Sequence, residues 1–136
     1  MKMIFWILLV VVIGLMAYIR LAPSDAATWH ILPQIDGDSD HAGGAKRVVQ
    51  TGPDGLSRLH EVANSTPRTK VLAGSVDDGM VTYVTRTRVM GFPDYTTAHQ
   101  DGDDLKLHGR LRFGRSDFGV NRARIEAWIK ALTPGG

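Results

Sequence analysis

Hydrophobic and polar positions change their spacing along this 136-residue chain, and each spacing predicts a different element. From Met3 to Ile19 the run is apolar and uncharged, with Lys2 before it and Arg20 after it. As a helix it rises roughly 25 Å, and Leu21 to Pro23 extend it toward the ~30 Å of a bilayer's hydrocarbon. It is apolar on every face, as a membrane span is, whereas a soluble surface helix carries a stripe. We assign residues 1–23 to a single transmembrane anchor. Its marker positions are Trp6 and Tyr18 near opposite interfaces, Gly14 within the run, and Arg20, whose charge snorkels outward.

A cleaved signal peptide is the competing reading, because Ser24-Asp25-Ala26 supplies small residues at a plausible spacing. The apolar run is longer than the about 7–15 residues of such a leader and ends in arginine, which favours retention. Lys2 and the terminal amine against Arg20 favour an N-inside orientation. In a bacterium this places the remainder in the periplasm, on a single pass through the inner membrane.

Residues 24–52 are rich in Pro, Gly, Asp and Ser and read as an irregular linker, with 28–32 (Trp29, His30, Ile31) expected to pack on the domain that follows. That domain covers 53–136. Pro53-Asp54-Gly55 precedes Leu56, Leu59, Val62 and Ala63 at helical spacing, and Asn64 to Pro67 closes the pattern. The period then becomes alternating, predicting strands near 70–75, 80–90, 94–100 and 104–113 joined by short turns, hence antiparallel neighbours. Ile125, Trp128, Ile129 and Leu132 form a final helical face ending before Pro134. The fold class is α+β: a four-stranded antiparallel sheet with two flanking helices, behind a transmembrane helix.

Outside the anchor about 115 residues remain, enough for one domain with a modest core. There is no cysteine, which excludes disulfides and thiolate metal sites. The net charge is only +2, but 105–125 hold six basic side chains and one acid, whereas 36–40 hold three aspartates. Alternation from Leu105 to Phe113 sends Lys106, His108, Arg110 and Arg112 to one side, and the long strand before it sends Arg86 and Arg88 the same way. With Arg115 and Arg122 close by, these residues predict an outward basic face. Asp94, Asp117 and Glu126 could answer it internally, or an anion or acidic partner could. Few aromatics interleave with these cations, so nucleic acid is a poor fit.

Familiar motifs fail in detail. Asp36-Gly37-Asp38-Ser39-Asp40 opens like a calcium loop, but His41 stands where glycine is required and Arg47 where the bidentate glutamate belongs. Gly114-Arg115-Ser116-Asp117-Phe118-Gly119 is neither a nucleophile elbow nor a phosphate loop, and reads as a turn whose Ser116 or Asp117 caps the last helix. The five histidines show no metal-ligand spacing, so no metal or cofactor is implied.

Several blocks resemble a known family. They are Trp29-His30, Pro67-Arg68-Thr69, Val81 to Arg86, Gly91-Phe92-Pro93-Asp94-Tyr95-Thr96-Thr97, and Arg110 through Arg122 to Trp128. Over about residues 28–132 the chain resembles the bacterial domain of unknown function family 1499. The resemblance implies a small membrane-anchored or exported domain. It marks Arg86, Asp94, Tyr95, Arg110, Arg112, Ser116, Asp117, Asn121 and Arg122 as a shared surface or polar network, without a catalytic step for any of them.

Two functions compete. In the first, a non-enzymatic accessory or assembly subunit docks its helix against a larger membrane-protein complex and its basic face against an acidic partner. In the second, Arg86, Arg110 and Arg112 hold an anionic small molecule, with Asp94 or Asp117 as acid or base. A weaker third is attachment to anionic lipid headgroups. The candidate surface is Arg86, Arg88, Asp94, Tyr95, Lys106, Arg110, Arg112, Arg115, Asp117, Asn121 and Arg122. The bilayer and a membrane complex are the expected partners.

Overall fold

A computed structural model describes residues 1–132. It opens with α1 (Lys2–Leu21), 20 residues, none of them buried, long and apolar enough to cross a membrane. A single helical turn, α2 (Ala26–Trp29), follows and is capped by the Asp25 side chain, which accepts from the Ala27 amide. Strands β1 (Ser39–His41) and β2 (Gly44–Gln50) come next, then α3 (Gly55–Asn64). Four strands, β3 (Thr69–Ser75), β4 (Met80–Arg86), β5 (Pro93–Asp101) and β6 (Asp104–Leu111), lead to α4 (Val120–Leu132).

The sheet has six antiparallel strands in the order β1-β2-β6-β5-β4-β3. The four-stranded expectation is therefore corrected: β3 to β6 are that meander, and β1 and β2 add two strands from within the supposedly irregular 24–52 linker. The physical reason lies in β2. Its inward positions are Ala45, Arg47 and Val49, a small residue, a cation and one β-branched residue, which do not read as an apolar alternation. Arg47 nevertheless lies against the core rim, its guanidinium paired with Asp40 at 2.7 Å and Glu126 at 3.0 Å. Gly44 allows β2 to close on β6, since a Cβ there would lie 1.9 Å from the Gly109 carbonyl oxygen. The expected strand over 80–90 also ends earlier, at Arg86, where a turn begins, and Arg88 is off the sheet.

One face of the sheet carries Ala45, Val81, Tyr83, Ala98, Leu105 and Leu107, and α3 and α4 cover it with Leu56, Leu59, Ala63, Ile125, Trp128 and Leu132. Both helices show the spacing that predicted them. Trp128 meets Tyr83 edge-on with ring centroids 5.7 Å apart, and the Tyr83 hydroxyl reaches His60 Nδ1 at 2.8 Å. This is the main core. The opposite face carries Val84, Tyr95, Thr97, His108 and Arg110, and the positions of the functional residues depend on what covers it.

Candidate functional site

Register fixes which side chains of the second face are neighbours: Tyr95 opposes Arg110, Thr97 opposes His108, and Thr82 opposes Thr97. The sequence predicts this face to be outward and basic. The structure corrects that. The chain between α1 and β1 folds back over it, so Tyr95 is fully buried and Arg110 is only 8% exposed. Trp29 stacks on Tyr95 with centroids 4.2 Å apart and planes 16° from parallel. Arg110 lies over both rings and donates to Thr97 Oγ1 at 2.7 Å, to the His108 carbonyl at 3.1 Å and to the Trp29 carbonyl. His30 Nδ1 sits 2.7 Å from Thr82 Oγ1, and Ser24 Oγ shares a 2.7 Å hydrogen bond with the Tyr95 hydroxyl. Alternation separates two faces, but it cannot show that a distant segment covers one of them.

Burial has electrostatic consequences here. It lowers the Arg110 pKa to about 10, with Tyr95 opposing the shift. Burial also lowers His108 to about 3, helped by the charges of Arg110, His41 and Lys46, and its Nδ1 is buried without a partner. Arg110 thus acts as an internal clamp on carbonyl and hydroxyl oxygens. It is not offered to solvent.

Arg112 continues the clamp, donating to the Pro23 carbonyl at 2.9 Å and to the Tyr95 hydroxyl at 3.2 Å. Arg86 donates from Nη1 to the Ile19 carbonyl at 3.2 Å and to the Gly91 carbonyl at 2.9 Å. Arg20 donates to the Val89 carbonyl, and Tyr18 meets Phe113 edge-on at 6.2 Å. The last turn of α1 and its exit are therefore tied to the sheet at several points.

A second group gathers at the start of α4. Asp117 accepts from the amides of Gly119 (2.9 Å) and Asn121 (3.0 Å) and from the Asn121 side chain (2.9 Å), the cap read from the sequence. Burial pushes its pKa up, but these donors outweigh that and leave it lowered. Asp94, 5% exposed, is raised by burial against the opposing charge of Arg124, which lies 3.3 Å away. Arg124 also donates to Asn121 Oδ1 at 2.9 Å, completing the network. Both carboxylates line a cavity of about 270 Å³. Both Asp117 oxygens serve the helix cap, and Asp94 Oδ2 takes the Arg124 ion pair.

The remaining candidates are scattered. Lys106 pairs with Asp101 at 3.0 Å, Arg122 reaches Asp40 at 3.5 Å, and Arg115 is exposed in the loop after β6. Arg88 is exposed in the turn after β4. The expected cluster thus divides into a buried clamp, a helix-cap network, Arg86 and Arg88 together on a concave site beside the α1 exit, and separate surface charges.

Neither Arg124 nor Arg68 is among the surface residues that the sequence predicts. Arg124 stands three residues after Asn121 on the same helical side, and Arg68 lies in the quoted Pro67-Arg68-Thr69 block, the available signals for each. A concave site of about 640 Å³ opens beside the α1 exit, lined by Arg20, Arg68, Lys70, Arg86 and Arg88.

A family model described as a protein of unknown function (DUF1499) matches residues 22–132. The stretch begins at the α1 exit and ends with α4, so it includes the covering segment with Trp29 as well as the sheet. No curated protein and no solved structure matches the chain.

Proposed function

The chain belongs to the DUF1499 family of proteins of unknown function, and on that premise we propose that it is a membrane-anchored, non-enzymatic accessory protein of a larger membrane complex. The observation that carries this reading is the structured join between α1 and the domain. The Ile19 and Pro23 carbonyls, the Arg20 guanidinium and the Ser24 hydroxyl all bond to the domain, and Trp29 of the connecting chain stacks on Tyr95 of the sheet. A helix so joined moves with its domain, and whatever the helix contacts in the bilayer sets where the domain stands. A leader awaiting removal presents an extended small-residue segment to a peptidase. Ser24 held on Tyr95 supports a retained tether instead.

The helix exposes apolar side chains all round, a surface suited to lipid or to another membrane helix. The helix-capping role of Asp117 and the Arg124 ion pair on Asp94 Oδ2 are structural tasks, which supports a role without catalysis. Lys2 favours an N-inside helix in a bacterial inner membrane with the domain in the periplasm. The test is purification of the full chain from native membranes in mild detergent at native expression. Co-migration with a larger assembly is expected, and recovery as a free monomer would overturn the proposal.

A further inference from the structure

The site lined by Arg20, Arg68, Lys70, Arg86 and Arg88 combines three properties. First, it has no countercharge. The acids within reach of cations lie elsewhere, on Arg47, Arg58, Lys106, Arg122 and Arg124, and among the described residues none of the five lining cations pairs with a carboxylate. Five like charges around one concavity repel each other, and an anion seated among them relieves that repulsion.

Second, the inner guanidiniums are already oriented. Arg86 is held by the Ile19 and Gly91 carbonyls, Arg20 by the Val89 carbonyl, and Arg68 by donating from Nε to the Arg86 carbonyl at 3.1 Å. These bonds are to neutral acceptors, so the positive charges remain uncompensated while the side chains are fixed. Arg68 also holds a left-handed backbone, φ 56°, a conformation that costs a non-glycine residue free energy and recurs at binding sites. Gly91, with φ 73°, lets the turn approach Arg20, since a Cβ there would lie 2.8 Å from its Cγ.

Third, the site lies at the end of the helix. The 20 residues of α1 rise about 30 Å, one hydrocarbon thickness, which places Arg20 among headgroups. Around it Leu21, Val89 and Met90 are exposed apolar side chains, Leu21 next to Arg20 in the chain and Val89 and Met90 on the turn that receives Arg20. An apolar fringe beside a cationic hollow suits a ligand with a charged phosphate and acyl chains.

We infer that this hollow binds the phosphodiester headgroup of an anionic phospholipid in the leaflet where α1 ends. Lys70 and Arg88, both exposed and without a hydrogen-bonded partner among the described residues, supply the outer charges. The inference rests on α1 being retained, as in the function proposed above.

The test is native mass spectrometry of the full chain released from detergent holding equal phosphatidylglycerol and phosphatidylcholine. We expect one phosphatidylglycerol per chain to be retained in preference. In K70Q/R88Q, which leaves the helix join untouched, that preference should weaken on the order of thirtyfold, at the typical contribution of one surface cation each. An R115Q/K130Q control should keep it. Equal retention of the two lipids, or an unchanged preference in K70Q/R88Q, would overturn the site. Displacement of the lipid by excess inorganic phosphate would show that a free anion is the ligand and overturn the lipid assignment. Loss of lipid preference with partner co-purification intact would sink this site alone, and the reverse outcome would sink only the accessory role.

Discussion

Replacing Trp29 with alanine should release the covering segment while leaving the sheet folded. An indole buries roughly 150–250 Å², so at ~25 cal/mol per Å² full burial contributes about 5 kcal/mol. Trp29 is only partly buried, and about 2 kcal/mol of that term is at stake. Loss of the stack on Tyr95 adds roughly 1 kcal/mol. The sum, about 3 kcal/mol, corresponds to an opening equilibrium raised on the order of a hundredfold. The amides of Thr28, Trp29 and His30 bond only within their own turn, to Asp25 and Ala26, and a turn that short does not persist undocked. Hydrogen exchange of the peptide spanning 25–35 should therefore accelerate by about that factor in W29A while β4 to β6 stay protected. Unchanged exchange in 25–35, or acceleration spread equally over the sheet, would refute the idea that Trp29 is the pin of a separately docked cover.

Three further outcomes follow from the geometry. His108 has an ordinary pKa of 6.5 that is lowered to about 3 in the folded chain; the unfolded state thus binds more protons between those values, and stability falls as pH drops below 6.5. Going from pH 7.5 to 5, the unscreened loss is about 2 kcal/mol, reduced to about 1 because the ring is partly exposed. Urea denaturation at the two pH values should show it, and H108F should abolish most of the difference. R124M leaves Asp94 buried without its cation and should destabilise by about 3–5 kcal/mol, read as a lower thermal midpoint, and D94N/R124M should recover much of it. G44A forces a methyl against the Gly109 carbonyl and should detach β1 and β2, seen as lost protection of the Arg47 and Val49 amides with α3 and α4 retained.

The two soluble helices were legible because Leu56, Leu59 and Ala63, like Ile125, Trp128 and Leu132, repeat at the helical period and also pack on the core. The meander from β3 to β6 was legible for the equivalent reason at period two. β2 was not, because packing against β6 selected smallness at Gly44 and Ala45 and an ion-paired Arg47 over an apolar row. The site was read in its members more than in its shape. Arg110, Tyr95 and Trp29 were each singled out, but their meeting depends on a chain reversal that no local pattern records. Sequence placed Arg110 outside because alternation assigns charge to solvent; a stacked indole and three oxygen acceptors made burial tolerable instead. Arg20 reads as a snorkelling anchor, and its second role on the wall of a cationic hollow needs Arg68 and Lys70, brought beside it by the edge strand β3.

The tether and the cationic hollow both require α1 to remain part of the working protein, joined to the domain through Ile19, Arg20 and Ser24. Intact-mass measurement of the chain recovered from native membranes tests this directly. A mass near 14.9 kDa, with the leading helix present, is the expected result. A mature chain beginning near Ala27 would contradict it, because the tether, the Arg20 wall of the hollow and the bond from Ser24 to Tyr95 would all be gone.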